Sequence, residues 1–250
     1  MVHYTCASPQ PYVFGSEFAL LTETISQLGF DGVLYSFYPK PMYLNSKIQP
    51  VLHYSNVLAP FVAHYIKNNY GNHDFVLRLI LQNRKKKPID WWEEINADHV
   101  TSEERVVTED ARQNFGIYYG LSIPALHGTY AVAGISVISQ NPCATHFQQL
   151  KSLHMDKLFE LSSQYHAKII NSREELRFFL LPLLQGLNET QKKVVKHTLE
   201  GLPMKAIPTT YGITPKYAEK VWSNIRKEFG DITTNELIYI MGMVDLYEYL

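Results

Sequence analysis

The sequence predicts an α+β protein: an N-terminal α/β/α sandwich around an antiparallel sheet, followed by an all-α unit of four helices. Three observations carry that expectation. Residues 16–165 mix apolar repeats at helical spacing with short β-branched runs. Two of those runs, 120–126 and 130–139, flank His127-Gly128 as the arms of a hairpin would. From residue 187 onward the spacing is helical throughout, broken at Gly201, Gly212 and Gly230, where a glycine suits the end of a helix.

The elements follow in order. A helix begins at Ser16, with Leu20, Leu21, Ile25 and Leu28 at helical spacing before Gly29 stops it. Residues 32–38 read as a strand, broken by Pro39 and Pro41. Residues 56–70 place Leu58, Phe61, Val62, Tyr65 and Ile66 on one helical face, and 75–81 suit a short helix or a strand equally. The run Arg84-Lys85-Lys86-Lys87 before Pro88 reads as a solvated loop. Residues 108–118 read as a helix capped by Thr108. After the hairpin, 143–165 form a long amphipathic helix with Phe147, Leu150, Leu153, Leu158, Leu161 and Tyr165 near one face. The expected domains are 1–170 and 187–250, joined by a linker over 171–186 whose apolar run Leu180-Leu181-Pro182-Leu183-Leu184 suits packing.

Composition narrows the classes. In 250 residues, 46% are hydrophobic and 19% charged, which excludes bulk disorder. A net charge of −1 means that any contact with nucleic acid must come from a local patch. Cys6 and Cys143 make neither a disulfide framework nor a zinc motif. The first residues lack a signal-peptide pattern, and no segment reaches the ~20 apolar residues of a membrane span. The expected location is the cytoplasm, with no membrane partner. Enzyme signatures (GxSxG, a Walker loop, GxGxxG after a strand, HExxH) are missing from the sequence, so no catalytic residue, metal or cofactor is expected.

The tail carries the clearest motif. Residues 205–211, the turn at Gly212-Ile213 and the helix from Thr214 have the spacing of a helix-turn-helix. Thr214 suits the helix N-cap, Ala218, Val221, Trp222 and Ile225 suit its inner side, and Lys216, Tyr217, Lys220, Asn224 and Lys227 its outer side. Residues 204–229 hold five basic residues against two acidic ones, which suits phosphate contacts. Over 187–250 the balance is eight against eight. The apolar stripe through Leu237, Ile238, Ile240, Met241, Met243, Val244 and Leu246 suits packing on the tail and a two-fold dimer seam. In the front part, Phe61 and Tyr65 share a helical face, and with Asp74 and Trp91 they suit an aromatic pocket for a small amphipathic molecule.

Residues 187–230 resemble the C-terminal DNA-binding domain of LuxR-type transcriptional regulators, without a gap over 44 residues. The resemblance runs through Leu187-Asn188, Gln191, Val194-Val195, Gly201-Leu202 and Ile207. It continues through Gly212-Ile213-Thr214, Tyr217-Ala218, Lys220, Asn224 and Phe229-Gly230. Gln191, Pro208, Val221 and Glu228 depart from the usual glutamate, alanine, histidine and lysine. The front part is similar to the domain with which those regulators bind N-acyl-homoserine lactones. Phe61, Tyr65, Asp74 and Phe75 fall at the spacing of the family's Trp, Tyr, Asp and Pro. Trp91 or Trp92 after Pro88, Phe115-Gly116-Ile117 and Gly120 with Pro124 match later signatures.

The resemblance implies that Tyr65 and Asp74 hold the signal's acyl amide, with Ser136 facing the ligand. It also implies a homodimer that binds double-stranded DNA through Thr214, Lys216, Tyr217, Lys220, Asn224 and Lys227. Phe61 lacks the indole N–H that the family uses for the lactone carbonyl, so either Tyr54 or Trp91 replaces it or the signal is a different acylated molecule. The alternative is a ligand-independent relative that acts through protein contacts, as a heterodimer with weak or no DNA binding.

Overall fold

The computed structural model describes residues 15–39, 48, 51–83, 87–128, 131–242, 246 and 250. Cys6, Pro41, most of the basic run at 84–87, Tyr130, Met243 and Val244 lie outside the described residues.

The strands are β1 (Gly32–Pro39), β2 (Leu52–Tyr54), β3 (Ile89–Asp90), β4 (Tyr119–His127) and β5 (Ala131–Ser139). They form one antiparallel sheet in the order β2-β1-β5-β4-β3. The β4–β5 hairpin is the expected one. β2 and β3 are too short to show an alternating pattern by themselves, and pairing with longer neighbours makes them strands.

Alternation divides the sheet into two faces. On the back, Val33, Tyr35, Phe37, Leu121, Ile123, Ile135 and Val137 join one buried cluster. That face is covered by α1 (Ser16–Gln27), through Phe18, Leu21 and Ile25, and by a 28-residue helix. On the front, Leu34, Ser36, Tyr38, Ser122, Ser136 and Ile138 face α2 (Ala59–Lys67), α3 (Phe75–Asn83) and a helix that starts at Ser102. The result is helices on both sides of an antiparallel sheet, within an α+β chain.

Several local expectations change. The helix predicted over 56–70 begins as a 3-10 turn (Asn56–Leu58), becomes α2, and gives way to a second 3-10 turn (Tyr70–His73). After it, 75–83 is helical because Asp74 caps it: Oδ1 accepts from the backbone N–H groups of Val76 at 2.8 Å and Leu77 at 3.1 Å. α4 (Trp91–Glu94) is capped in the same way by Asp90. α5 (Ser102–Phe115) starts six residues earlier than Thr108. Its cap is Thr101, in a capping box with Glu104, and Thr108 lies buried inside the helix.

The long helix is α6 (Ala144–Asn171), and Leu153 is 75% exposed on it rather than buried. Each three-residue step from Phe147 to Leu150 to Leu153 falls about 60° short of a full turn, which carries Leu153 off the face shared by Phe147, Leu158 and Tyr165. Residues 171–186, expected as a linker, are largely helical: α7 (Arg173–Leu180) and α8 (Pro182–Gln185). Leu176, Phe179, Leu180, Leu183 and Leu184 are buried in the same cluster as the back of the sheet.

The tail contains α9 (Glu189–Leu199), a 3-10 turn (Met204–Ala206), α10 (Ile207–Tyr211), α11 (Pro215–Glu228) and α12 (Thr234–Gly242). Gly201, Gly212 and Gly230 have φ near +70°, at +69°, +67° and +73°, as expected where helices stop. Pro208 falls in the first turn of α10, where its missing N–H removes no helical bond. Asn188 and Gln191 form the capping box of α9, and the Gln191 amide donates to Glu228 Oε2 at 3.0 Å. Two of the departures from the LuxR-type pattern therefore bind each other. Thr233 caps α12, whose Leu237, Ile240 and Met241 are buried while Tyr239 is exposed. Among the described residues no helix is long and apolar enough to cross a membrane.

Candidate ligand site

A cavity of about 810 Å3, its open mouth included, lies between the front of the sheet and the helices α2, α3 and α5. The sheet supplies Leu34, Ser36 and Tyr38 from β1, Ser122 from β4, and Ser136 and Ile138 from β5. The helical side supplies Phe61, Val62 and Tyr65 from α2, Val76, Leu77 and Ile80 from α3, and Val107, Thr108 and Ala111 from α5. Asp74 and Trp91 complete the polar part.

Two polar stations stand out against this apolar lining. At the first, the Tyr65 hydroxyl donates to Asp74 Oδ2 at 2.8 Å, while Oδ1 caps α3. Burial raises the Asp74 pKa above the ordinary carboxylate value, against the lowering effect of Tyr65 and the two backbone donors. Burial, and then the Asp74 charge, also keep the neighbouring Tyr38 hydroxyl protonated. A carboxylate has about four acceptor positions. Among the described residues three are taken, by Tyr65, Val76 and Leu77, which leaves one for a donor in the cavity.

At the second station, Trp91 Nε1 donates to Ser122 Oγ at 2.9 Å, and Ser122 Oγ lies 2.7 Å from Ser136 Oγ. The serines are direct partners across β4 and β5. The indole N–H and two hydroxyls bring three protons to two bonds, so one hydroxyl proton is left over. This station can donate to an acceptor.

Gly120 sets the place of Trp91. A Cβ built at Gly120 would stand 2.3 Å from the Trp91 ring, so the indole lies directly on the strand backbone. Gly120→Ala should therefore displace Trp91 and break its bond to Ser122, at a cost of about 1–3 kcal/mol from overpacking. Chemical denaturation with tryptophan fluorescence checks this, and an unchanged spectrum and midpoint would contradict it.

Phe61, Tyr65, Asp74, Trp91 and Ser136 thus come together around one cavity, with Phe61 buried edge-on against Tyr65 and Phe115. Tyr54 is a correction: it is not among the lining residues and packs in the apolar cluster beside the cavity. As the cross-strand partner of Leu34 it shares the front face of the sheet, but at the edge strand β2 it stands beside the lining rather than in it. Ser122, Ser36, Tyr38 and Thr108 were missed as site residues, although Ser36 and Tyr38 share the two-residue period of β1 with Leu34.

In the tail, Thr214 caps α11, accepting from the Tyr217 N–H at 3.3 Å. Lys216, Tyr217, Lys220, Asn224 and Lys227 are all exposed on that helix. Tyr217 and Asn224 border a shallow groove shared with Asn188, Gln191, Val221 and Glu228. Arg226 instead donates to the Ile232 carbonyl, which ties the end of α11 to the chain beyond it.

The family model described as the autoinducer binding domain matches residues 16–169. The chain belongs to the autoinducer-binding domain family. The matched segment contains the whole sheet and every residue of the cavity, and domains of this family are signal receptors rather than enzymes. No curated protein sequence is significantly similar to the chain. Among solved structures, SdiA of Escherichia coli is similar at 15% identity and a TM-score of 0.47, over 92% of this chain and 90% of that one. The N-acylhomoserine lactone-dependent LuxR-family factor CepR2 of Burkholderia cenocepacia aligns at 15% identity and a TM-score of 0.44, over 62% and 86% of the two chains. The ligand-binding domain of VqsR from Pseudomonas aeruginosa aligns at 14% and 0.43, over 60% and 86%. The family assignment rests on the sequence match.

Proposed function

We propose that this autoinducer-binding chain is a signal-responsive transcription regulator of the cytoplasm. Its signal is an N-acyl-homoserine lactone or a related acylated small molecule, and its second partner is operator DNA, bound as a homodimer. The observation that carries the signal half is the pairing of one free acceptor position at Asp74 with one free donor at Ser122–Ser136 inside an apolar cavity. An acyl amide has the matching groups, an N–H and a C=O, next to a chain that prefers apolar walls. Phe61 offers no donor to a lactone carbonyl, which favours a head group that does without that bond or finds it elsewhere.

The DNA half draws on the exposed Lys216, Tyr217, Lys220, Asn224 and Lys227 of α11 and on the Thr214 cap. On this reading 1–170 form the sensor and 187–250 the DNA reader. The packing of α7 and α8 on the sheet gives the sensor a direct hold on the start of the tail. Filling the cavity stabilises the sensor by mass action and biases that hold.

Titration calorimetry with N-octanoyl-homoserine lactone and with ring-free N-acyl amides tests the signal half. Asp74→Asn should weaken binding by about tenfold or more, as expected for a hydrogen bond to a charged group. Phe61→Leu should change it much less. Equal small effects would refute the assignment. For the DNA half, a duplex shift at low salt that disappears as salt rises is the expected result, and no shift at low salt with or without ligand would refute it.

A further inference from the structure

Trp91 stands at the junction of two short elements beside the cavity, the two-residue β3 and the four-residue α4. Neither is long enough to hold itself in place. What holds the junction comes from the other face of the sheet. Asp90 pairs with Leu121 of β4, whose side chain belongs to the buried cluster at the back, so Asp90 points to the back as well. Its Oδ2 accepts from Lys151 Nζ at 2.8 Å and from Gln148 Nε2 at 3.3 Å, both on α6. Its Oδ1 accepts from the backbone N–H groups of Trp92 at 3.0 Å and Glu93 at 3.3 Å, at the start of α4. One residue after Asp90 the chain turns to the front, and the Trp91 indole donates to Ser122. The far end of α4 is held separately by Arg105, which donates to the Ile95 carbonyl at 3.0 Å.

We propose that Lys151 is a positioning residue for Trp91: acting through Asp90 from the side of the sheet opposite the cavity, it sets the indole N–H on Ser122. A buried carboxylate needs a counter-charge and a full set of donors, and among the described residues Lys151 is the one cation on Asp90. Without the ammonium, Asp90 keeps Gln148 and two backbone donors, and its unpaired charge is drawn toward water at the sheet edge that β3 forms. The first turn of α4 is bonded to that same carboxylate, so a shift of Asp90 carries the base of Trp91 with it. The indole has no slack, because it lies directly on the backbone at Gly120. A displacement of about 1 Å is enough to break its bond to Ser122.

Lys151 also reaches Glu93 Oε1 at 2.6 Å, but that carboxylate is 62% exposed, and exposed pairs fix little. The Asp90 side chain is 2% exposed, so the bond shielded from water is the one to the junction. Lys151 is not among the residues that line the cavity, and its effect on a ligand is indirect. It keeps the Trp91–Ser122–Ser136 station in place to donate. That consequence rests on the function proposed above; the placement of Trp91 does not.

Nuclear magnetic resonance of the unliganded full chain, with isotope-labelled tryptophan, reads the indole N–H directly. The three tryptophans give three indole signals, and Trp91→Phe assigns the one in question. Lys151→Met, which keeps the apolar stem, should shift that signal and speed its solvent exchange by about three- to tenfold, the worth of one ordinary hydrogen bond. Lys151→Arg should restore both, and Glu93→Gln should leave both native. Trp222, whose indole donates to Thr234 in the tail at 2.7 Å, is the internal reference. A native Trp91 signal in Lys151→Met would overturn the proposal. So would equal acceleration at Trp91 and Trp222, the mark of a general loss of stability. If Lys151→Met does not fold, Asp90→Asn decides, since asparagine still caps α4 but carries no charge; an unmoved Trp91 signal there would overturn the proposal too. Where N-octanoyl-homoserine lactone binds the native chain, Lys151→Met should weaken it by a similar factor. A native chain that binds no acyl ligand would count against the function proposed above and leave the placement of Trp91 standing.

Discussion

Phe179→Ala is expected to destabilise the protein by about 3–5 kcal/mol, the usual cost of emptying a fully buried aromatic site. Phe179 is 0% exposed. Its ring meets Tyr35 at 5.5 Å, Phe37 at 6.1 Å and His53 at 4.7 Å, all on the back of the sheet. The residue belongs to α7, in the segment that sequence spacing suggests is a linker, so the substitution measures whether that segment is structural. Leu153→Ala is the natural control. Leu153 lies on the predicted apolar stripe of α6 yet is 75% exposed, and its loss should change stability by less than about 0.5 kcal/mol. Urea denaturation of both variants checks the pair. A loss below about 1 kcal/mol at Phe179 would mean that α7 does not belong to the core.

The consequence reaches function through β1. Leu34, Ser36 and Tyr38 of this strand face the cavity, while Tyr35 and Phe37 meet α7 on the other side. The proposed signal and the helix leading to the tail are thus separated by the thickness of one sheet. Close-packed interiors transmit small displacements rather than absorbing them.

Acidification is expected to remove about 3 kcal/mol of stability through His53. This histidine is 1% exposed among Phe18, Tyr35, Tyr165, Phe178 and Phe179. Its Nδ1 is 2.7 Å from the Tyr165 hydroxyl. Burial pushes its pKa down to about 4. The unfolded chain, with an ordinary histidine near ~6.5, therefore binds the proton first. Stability is full above about pH 6.5, falls as pH drops from there to about 4, and then levels off for this group.

His166, whose pKa burial also lowers, acts in the same direction. Glu175 acts in the opposite one, since burial and then Glu174 raise its pKa and the folded state keeps its proton more readily. The Glu175 carboxylate lies 3.8 Å from His53 Nε2, too far for a good hydrogen bond, so burial dominates. His53→Phe should start from lower stability, having lost the Tyr165 bond, but fall less steeply between those pH values. Denaturation midpoints measured across the range check the slope, and parallel curves for the two proteins would exclude His53 as its source.

Much of the architecture is legible in local chemistry. The stops at Gly201, Gly212 and Gly230 follow from the freedom of glycine at positive φ. The hairpin follows from two β-branched runs around His127-Gly128. Spacing also brings Phe61 and Tyr65 onto one helical face, and both line the cavity with Asp74. The start of α5 is also written locally, but in Thr101 and Glu104 rather than Thr108, because a capping box satisfies two backbone donors and a lone threonine one.

By itself, then, the sequence determined the α+β pattern, the ends of the tail helices and the aromatic–carboxylate spacing of the cavity. These depend on dihedral preferences and periods within a few residues. Tertiary structure decided which apolar faces are covered. It exposed Leu153, buried α7, withdrew Tyr54 from the cavity, and joined Trp91, Ser122 and Ser136 across strands. It also set His53 among aromatic rings more than a hundred residues away in the chain. Periodicity states that a face is apolar, but burial, proton affinity and hydrogen-bond partnership depend on what the fold places against it.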